Sequence, residues 1–455
     1  MTDHLAREVG LLRTLARGME LRPAMRPGHL TQGFLRKERI ALAHPLGDAL
    51  IVIRQPEGEA FSELFECLVS RSPTMERGTV FSAVQTELLG VLKDGFVGRD
   101  PTTVSYDDVA SLYAHFDGWF NQLAAPRRVF VPCVITPWAA PRFSVGPVIF
   151  LFIDDVSRSE FYPPPEDLIG RDGFDRLIGQ MRDNQANWLA CVPVEGCVHQ
   201  RAEEVGALAA DLAIVALQVA IPLGWKTRTM GRLDTRRGAA ERRTLSESQG
   251  YYNASWSNMA AGLPIGTGTL TDILQKTATT ISAVGACVTS FALGRYRLPD
   301  LEHGWCDAAY WLHEALAEPV DAIAIAKLET ALEVLLRAES TSGSQRRIEA
   351  ILQAFYGLSP SDPMQSETSM TAKQFAREIV RDRSRILHGT WSTLNSRLSL
   401  GRGGMEEFVI AVIRRAAVEL ENYANTGAPN DEIDAWLAWV SDEHPHERGN
   451  ARTRA

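Results

Sequence analysis

Two side chains five positions apart, Arg383 and His388, carry the clearest chemical signal in this 455-residue sequence. They lie in the segment Phe375–Trp391, which reads FAREIVRDRSRILHGTW. Histidine moves protons near neutral pH, and arginine stays cationic throughout that range. Together they suit attack of an RNA 2′-hydroxyl on the adjacent phosphate. That reaction needs proton transfer and a cation beside the phosphoryl oxygens, and it needs no metal.

The spacing predicts a helix that positions them. At about 100° per residue, Phe375, Ile386 and Ile379 fall at about 0°, 20° and 40°, and Ala376, Leu387 and Val380 at about 100°, 120° and 140°. Arg383, at about 80°, stands in the middle of this apolar stripe, with Arg381, Asp382 and Arg385 on its flanks or back. A buried guanidinium costs several kcal/mol unless it is paired or faces a polar cleft. His388 follows about 140° around the helix and about 7.5 Å along it, too splayed to hydrogen-bond to Arg383. Both would border one cleft if the helix met a second copy of itself, where a two-fold axis gathers two arginines and two histidines. Gly389 is the expected left-handed stop, which leaves His388 in the last turn, where partial negative charge favours imidazolium. A purely structural account competes: Arg383 paired with a core carboxylate such as Glu333, and His388 as a helix cap.

The stretch RDRSRILHG resembles the signature of the HEPN (higher eukaryotes and prokaryotes nucleotide-binding) superfamily, an arginine followed after four to six residues by a histidine. It is most similar to the Apea-like branch: Arg383-Ser384, then Arg385, Ile386 and Leu387, then His388-Gly389. The preceding WLHEALAE, KLETALEVLL and QRRIEAIL also look like that branch's earlier helices, so the resemblance spans roughly 305–425. It implies a helical domain that dimerises through the motif helix and cleaves RNA without metal or cofactor. Arg383 and His388 would be its catalytic pair, and Ser384 would help to order the site. It further implies a toxin or antiviral effector restrained by the rest of the chain. Some relatives only bind RNA or nucleotides, and that non-catalytic dimerisation module is the alternative.

The remaining sequence must support this site. Apolar, charged and aromatic fractions of 45%, 23% and 8% are those of a globular chain, and a net charge of -9 excludes wholesale coating of a polyanion. Six scattered cysteines without a CxxC pair predict free thiols in a reducing cytoplasm. The longest apolar run, 207–225, is broken by Asp211, Gln218 and Pro222, which predicts a buried helix and no membrane span.

The fold class expected is α+β, mostly α, with a helical bundle at the C-terminal end and a mixed α/β region before it. DALIVIR, RRVFVPCVIT and GPVIFLFID read as strands; FSELFECLVS and DDVASLYAHFDGWFNQLA read as helices. The divisions expected are 1–225 for the sensing or regulatory region, 226–304 for a linking segment, 305–425 for the helical domain, and 426–455 for a helix and polar tail. Lys226–Arg243 reads as an exposed basic connector whose Arg236, Arg237, Arg242 and Arg243, with Arg381 and Arg385 on the motif helix, are candidate RNA contacts. TSGS (341–344) reads as a loop, and Gly357 as a helix stop. Asp154 and Asp155 at a strand end, and Cys191, Cys197 and His199, are the only hints of metal ligation, and neither set is complete. His115, His303 and His313 read as packing or capping residues.

Overall fold

The computed structural model describes residues 2–23, 40–46, 49–221, 227–234, 240–259, 262–338, 340–364, 370–388, 390, 400–427 and 429–443. They form two compact units, 1–127 with 194–204, and 128–193 with 205–455. The expected division near 225 does not coincide with this one, because the second unit takes in both the mixed sheet and the C-terminal helices.

The first unit opens with α1 (Thr2–Gly18), whose apolar side meets a three-stranded antiparallel sheet of β1 (Met19–Pro23), β2 (Ile40–Leu46) and β3 (Ala49–Arg54) in the order β1-β3-β2. Four helices follow: α2 (Gln55–Ser70), α3 (Pro73–Gly78), α4 (Phe81–Phe96) and α5 (Tyr106–Leu123). Leu12 and Leu15 of α1 share a core with Ile51 and Ile53 of β3, Leu64 of α2, Leu88 and Leu92 of α4 and Phe116 of α5. DALIVIR is therefore the central strand of this sheet, buried on both sides, which explains its unbroken apolar run.

The second unit contains all but one residue of β4 (Arg127–Val134), then β5 (Phe143–Val145), β6 (Val148–Phe152), α6 (Ile153–Val156), α7 (Leu168–Asp183), all but one residue of β7 (Trp188–Val194), α8 (His199–Ala220) from Val205 onward, and β8 (Gly231–Arg232). Its five strands run in the order β5-β6-β7-β4-β8. Every residue of α8 from Ala209 to Ala220 is buried. That burial accounts for the long apolar run, and no helix among the described residues is long and apolar enough to cross a membrane.

The expected basic connector is in part ordered structure. Gly231–Arg232 joins the sheet beside β4, and β9 (Ala240–Ser248) pairs with β10 (Tyr251–Met259) as an antiparallel ribbon. Two of its cations are held by buried acids rather than standing free in solvent. Arg232 donates to Asp211 (2.8 Å), which is fully buried, and Arg228 donates to Glu406 (2.7 and 3.1 Å). Charge density alone misread them because the paired acids are distant in sequence. Lys226, Arg236 and Arg237 lie outside the described residues.

Helices complete the unit: α9 (Thr267–Lys276), α10 (Ala278–Leu293), α11 (Pro299–Ala317), α12 (Asp321–Leu335), α13 (Thr341–Tyr356), α14 (Ala372–Leu387), α15 (Arg402–Ala424) and α16 (Ile433–Glu443). TSGS is the first turn of α13 and not a loop, because the Ser340 hydroxyl accepts the Gly343 N–H and caps the helix one residue earlier. Gly357 ends that helix at φ 64°, the left-handed conformation glycine tolerates. The bundle closes on Trp305 of α11, fully buried, whose indole N–H donates to the Ile413 carbonyl of α15 (3.1 Å).

Candidate functional site

The site is built on α14. Thr371 starts the helix with a reciprocal cap: its hydroxyl accepts the Gln374 N–H (3.2 Å), and its own N–H donates to the Gln374 side chain (2.9 Å). Phe375, Ala376, Ile379, Val380 and Ile386 are buried, as the stripe requires. Ile386 packs on Ala322 and Ala326 of α12. Two residues depart from the expected stripe. Leu387 is 60% exposed at the end of the helix, and Asp382, expected on the flank or back, is completely buried. Asp382 projects at about −20°, directly beside Phe375 and Ile386, so it belongs to the inward face.

Arg383 lies where α12, α13 and α14 meet. Its side chain remains 29% exposed, and its two terminal nitrogens straddle the Glu333 carboxylate of α12 at 3.0 and 2.7 Å. Glu333 also accepts the hydroxyl of buried Ser344 from α13 (2.6 Å). This two-pronged pair fixes the plane of the guanidinium and is worth about 1–2 kcal/mol at such partial exposure.

One turn earlier on α12, Glu329 is fully buried, with its nearer oxygen 3.7 Å from Arg383 Nε. That distance is too long for a hydrogen bond, and among the described residues neither Glu329 oxygen has a partner. Burial first, then the neighbouring Glu333 carboxylate, push the Glu329 carboxyl up to about 9 against the opposing pull of Arg383. Glu329 therefore keeps its proton at neutral pH. The local charge is one guanidinium against Glu333 and the nearby Asp382.

His388 is the C-terminal cap of α14 at φ −82° and ψ 1°, and its N–H donates to the Ser384 carbonyl (3.0 Å). Its ring is exposed. Ser384 is half-buried and contributes this carbonyl to the cap. Among the described residues no hydrogen bond joins Arg383 to His388, in keeping with their angular separation. Gly389, the expected stop, lies outside the described residues.

The weaker candidates are dispersed. Arg381 is paired with Glu378 one turn back, and the Arg385 carbonyl accepts from Thr390 (3.1 Å from N, 3.2 Å from Oγ1). Arg242 and Arg243 occupy positions in β9 opposite Ser257 and Trp256. Asp154 and Asp155 stand exposed on α6, and no group of three or more His, Cys, Asp or Glu suited to a metal ion gathers among the described residues. Cys191 is buried, with its thiol pushed up to about 12 by that burial. The buried Cys197 accepts from Arg77 (3.4 Å), while His199 is exposed and pairs with Glu203 (3.4 Å).

His313 fulfils the packing role expected, but as part of a polar core. Its Nδ1 is 3.0 Å from the Gln218 side-chain oxygen, its Nε2 is 3.4 Å from Asp211, and all three residues are fully buried. Sequence reasoning did not single out Glu329 or Ser344. The signal for Glu329 was present, since at about 40° it lies on the apolar side of α12 beside Ile325 at about 0° and Leu336 at about 20°. Comparison of the chain with protein-family models, with curated proteins and with solved structures gives no match.

Proposed function

We propose that this chain is a metal-independent endoribonuclease of HEPN type that acts as a dimer through α14, with a toxin or anti-phage defence role controlled by its N-terminal region. The observation that carries the proposal is the end of α14. An exposed imidazole stands there about one and a half turns from a guanidinium that reaches the surface with its plane held by Glu333. In the reaction the 2′-oxygen attacks phosphorus as His388 takes its proton. The P–O5′ bond breaks, the 5′-oxygen leaves with the proton that His388 has taken up, and a 2′,3′-cyclic phosphate remains. Arg383 donates to the phosphoryl oxygens as their charge grows, and Ser384 holds the cap that orients His388. Leu387, 60% exposed at the end of α14, supplies apolar surface beside the site for the two-fold contact.

A second reading, a non-catalytic RNA- or nucleotide-binding dimer module, is favoured by the Arg383–Glu333 pair, which engages both terminal nitrogens of the arginine without any substrate. The test is incubation of the full chain with total RNA and tRNA in EDTA, beside His388→Ala and Arg383→Ala, with analysis of product ends. Cyclic-phosphate ends that both substitutions abolish support the nuclease. RNA binding by a folded dimer that never cleaves supports the second reading.

A further inference from the structure

The ribbon of β9 and β10 has an apolar face whose large side chains stand in solvent. The turn at Gln249 (φ 53°) and Gly250 (φ 81°) fixes a two-residue hairpin, and the register pairs Tyr252 with Glu247, Ala254 with Leu245 and Trp256 with Arg243. Alternation along a strand puts these positions on one side. On the other side lie Tyr251, Asn253, Ser255 and Ser257, opposite Ser248, Ser246, Thr244 and Arg242, so that Tyr251 is the single aromatic position there. Tyr252, Trp256 and Leu245 are 72%, 71% and 67% exposed. A lone two-stranded ribbon is marginal in water, and one with a patterned apolar side is built to be covered.

We propose that this face binds the same face of a second copy of the chain, a self-association surface separate from α14 and independent of the nuclease reading. The pattern is self-complementary. A two-fold axis through the Leu245–Ala254 pair brings the Tyr252 and Glu247 positions of one ribbon against the Trp256 and Arg243 positions of the other. Aromatic then meets aromatic, and an acidic position meets a basic one, twice. RNA fits less well: residues 240–259 hold Arg242 and Arg243 against Glu241 and Glu247, so the ribbon has no net charge with which to release counterions. Three large side chains per copy bury roughly 1,000 Å² in all, the lower edge of a specific interface, so the contact is concentration-dependent.

Sedimentation of the full chain over a wide concentration range tests this. Trp256→Asp and Tyr252→Asp each weaken one association step at least tenfold, and the folded signal in circular dichroism is retained. Arg243→Glu and Glu247→Arg each weaken the same step, and the double exchange restores it, a rescue that misfolding would not produce. A Leu387→Glu variant run alongside reports the α14 contact separately. Association unchanged by every ribbon variant overturns the proposal. So does unchanged association with loss of affinity for single-stranded RNA in Trp256→Ala, which would make the face a stacking platform instead.

Discussion

Replacing Glu329 with glutamine tests the charge state on which the reading of Arg383 depends. Glutamine keeps the shape of a protonated glutamate but cannot ionise. With the buried carboxyl at about 9 and the free one near its ordinary 4.5, the folded chain holds a proton that the unfolded chain releases throughout the interval between them. Rising pH therefore favours unfolding by about 1.4 kcal/mol per unit. The contribution of Glu329 is fully present below the ordinary carboxylate value and lost as pH rises through the folded one. From pH 5.5 to 8.5 the wild-type chain should lose about 4 kcal/mol that Glu329→Gln does not. The assay is thermal unfolding of both proteins at several pH values in that range. The melting temperature of the variant relative to wild type should climb by several degrees as pH rises, starting near parity at the acid end. A difference that stays flat with pH would refute the reasoning. Glu329 would then be an ionised partner of Arg383, adding one more negative charge to those of Glu333 and Asp382 around the guanidinium and making it less suited to binding a phosphate.

Two further outcomes follow from the same polar contacts. Glu333→Ala leaves Arg383 and Ser344 without their shared acceptor and should cost about 1–3 kcal/mol in unfolding free energy, whereas Glu333→Gln, which keeps one acceptor oxygen, should cost less. Asp211→Asn removes the buried carboxylate that meets Arg232 and His313, leaving Arg232 only the exposed Asp234, and should cost about 3–5 kcal/mol by denaturant titration. Against the upward push of burial, His313 and Arg232 hold the Asp211 carboxyl below the ordinary range, so this contribution is present above that range and is lost as pH falls below it toward the lowered folded value.

Much of the second unit was legible because helices and strands are set by local periodicity. The stripe of α14, the Gly357 stop and the buried run of α8 follow from side chains a few residues apart, and so does the placement of Arg383 on an apolar face. The misassignments arose where the deciding contact is remote. A stripe bounded by its apolar members alone leaves Asp382 on the flank, though its angle lies beside Phe375 and its side chain is buried there. Arg228 and Arg232 counted as solvated cations until Glu406 and Asp211 came beside them from positions far away in the chain.

The sequence by itself determined the order of most elements, the helix that carries Arg383 and His388, and the angular separation that keeps those two side chains from bonding. Tertiary structure decided what each charge meets. It set Glu333 and Ser344 around the arginine, buried Glu329 deeply enough to hold its proton, and left the aromatic side of the β9–β10 ribbon in solvent. The physical reason is range. Propensity and periodicity act within a turn or two, while the cost of a charge depends on which distant residues exclude water from it or pair with it.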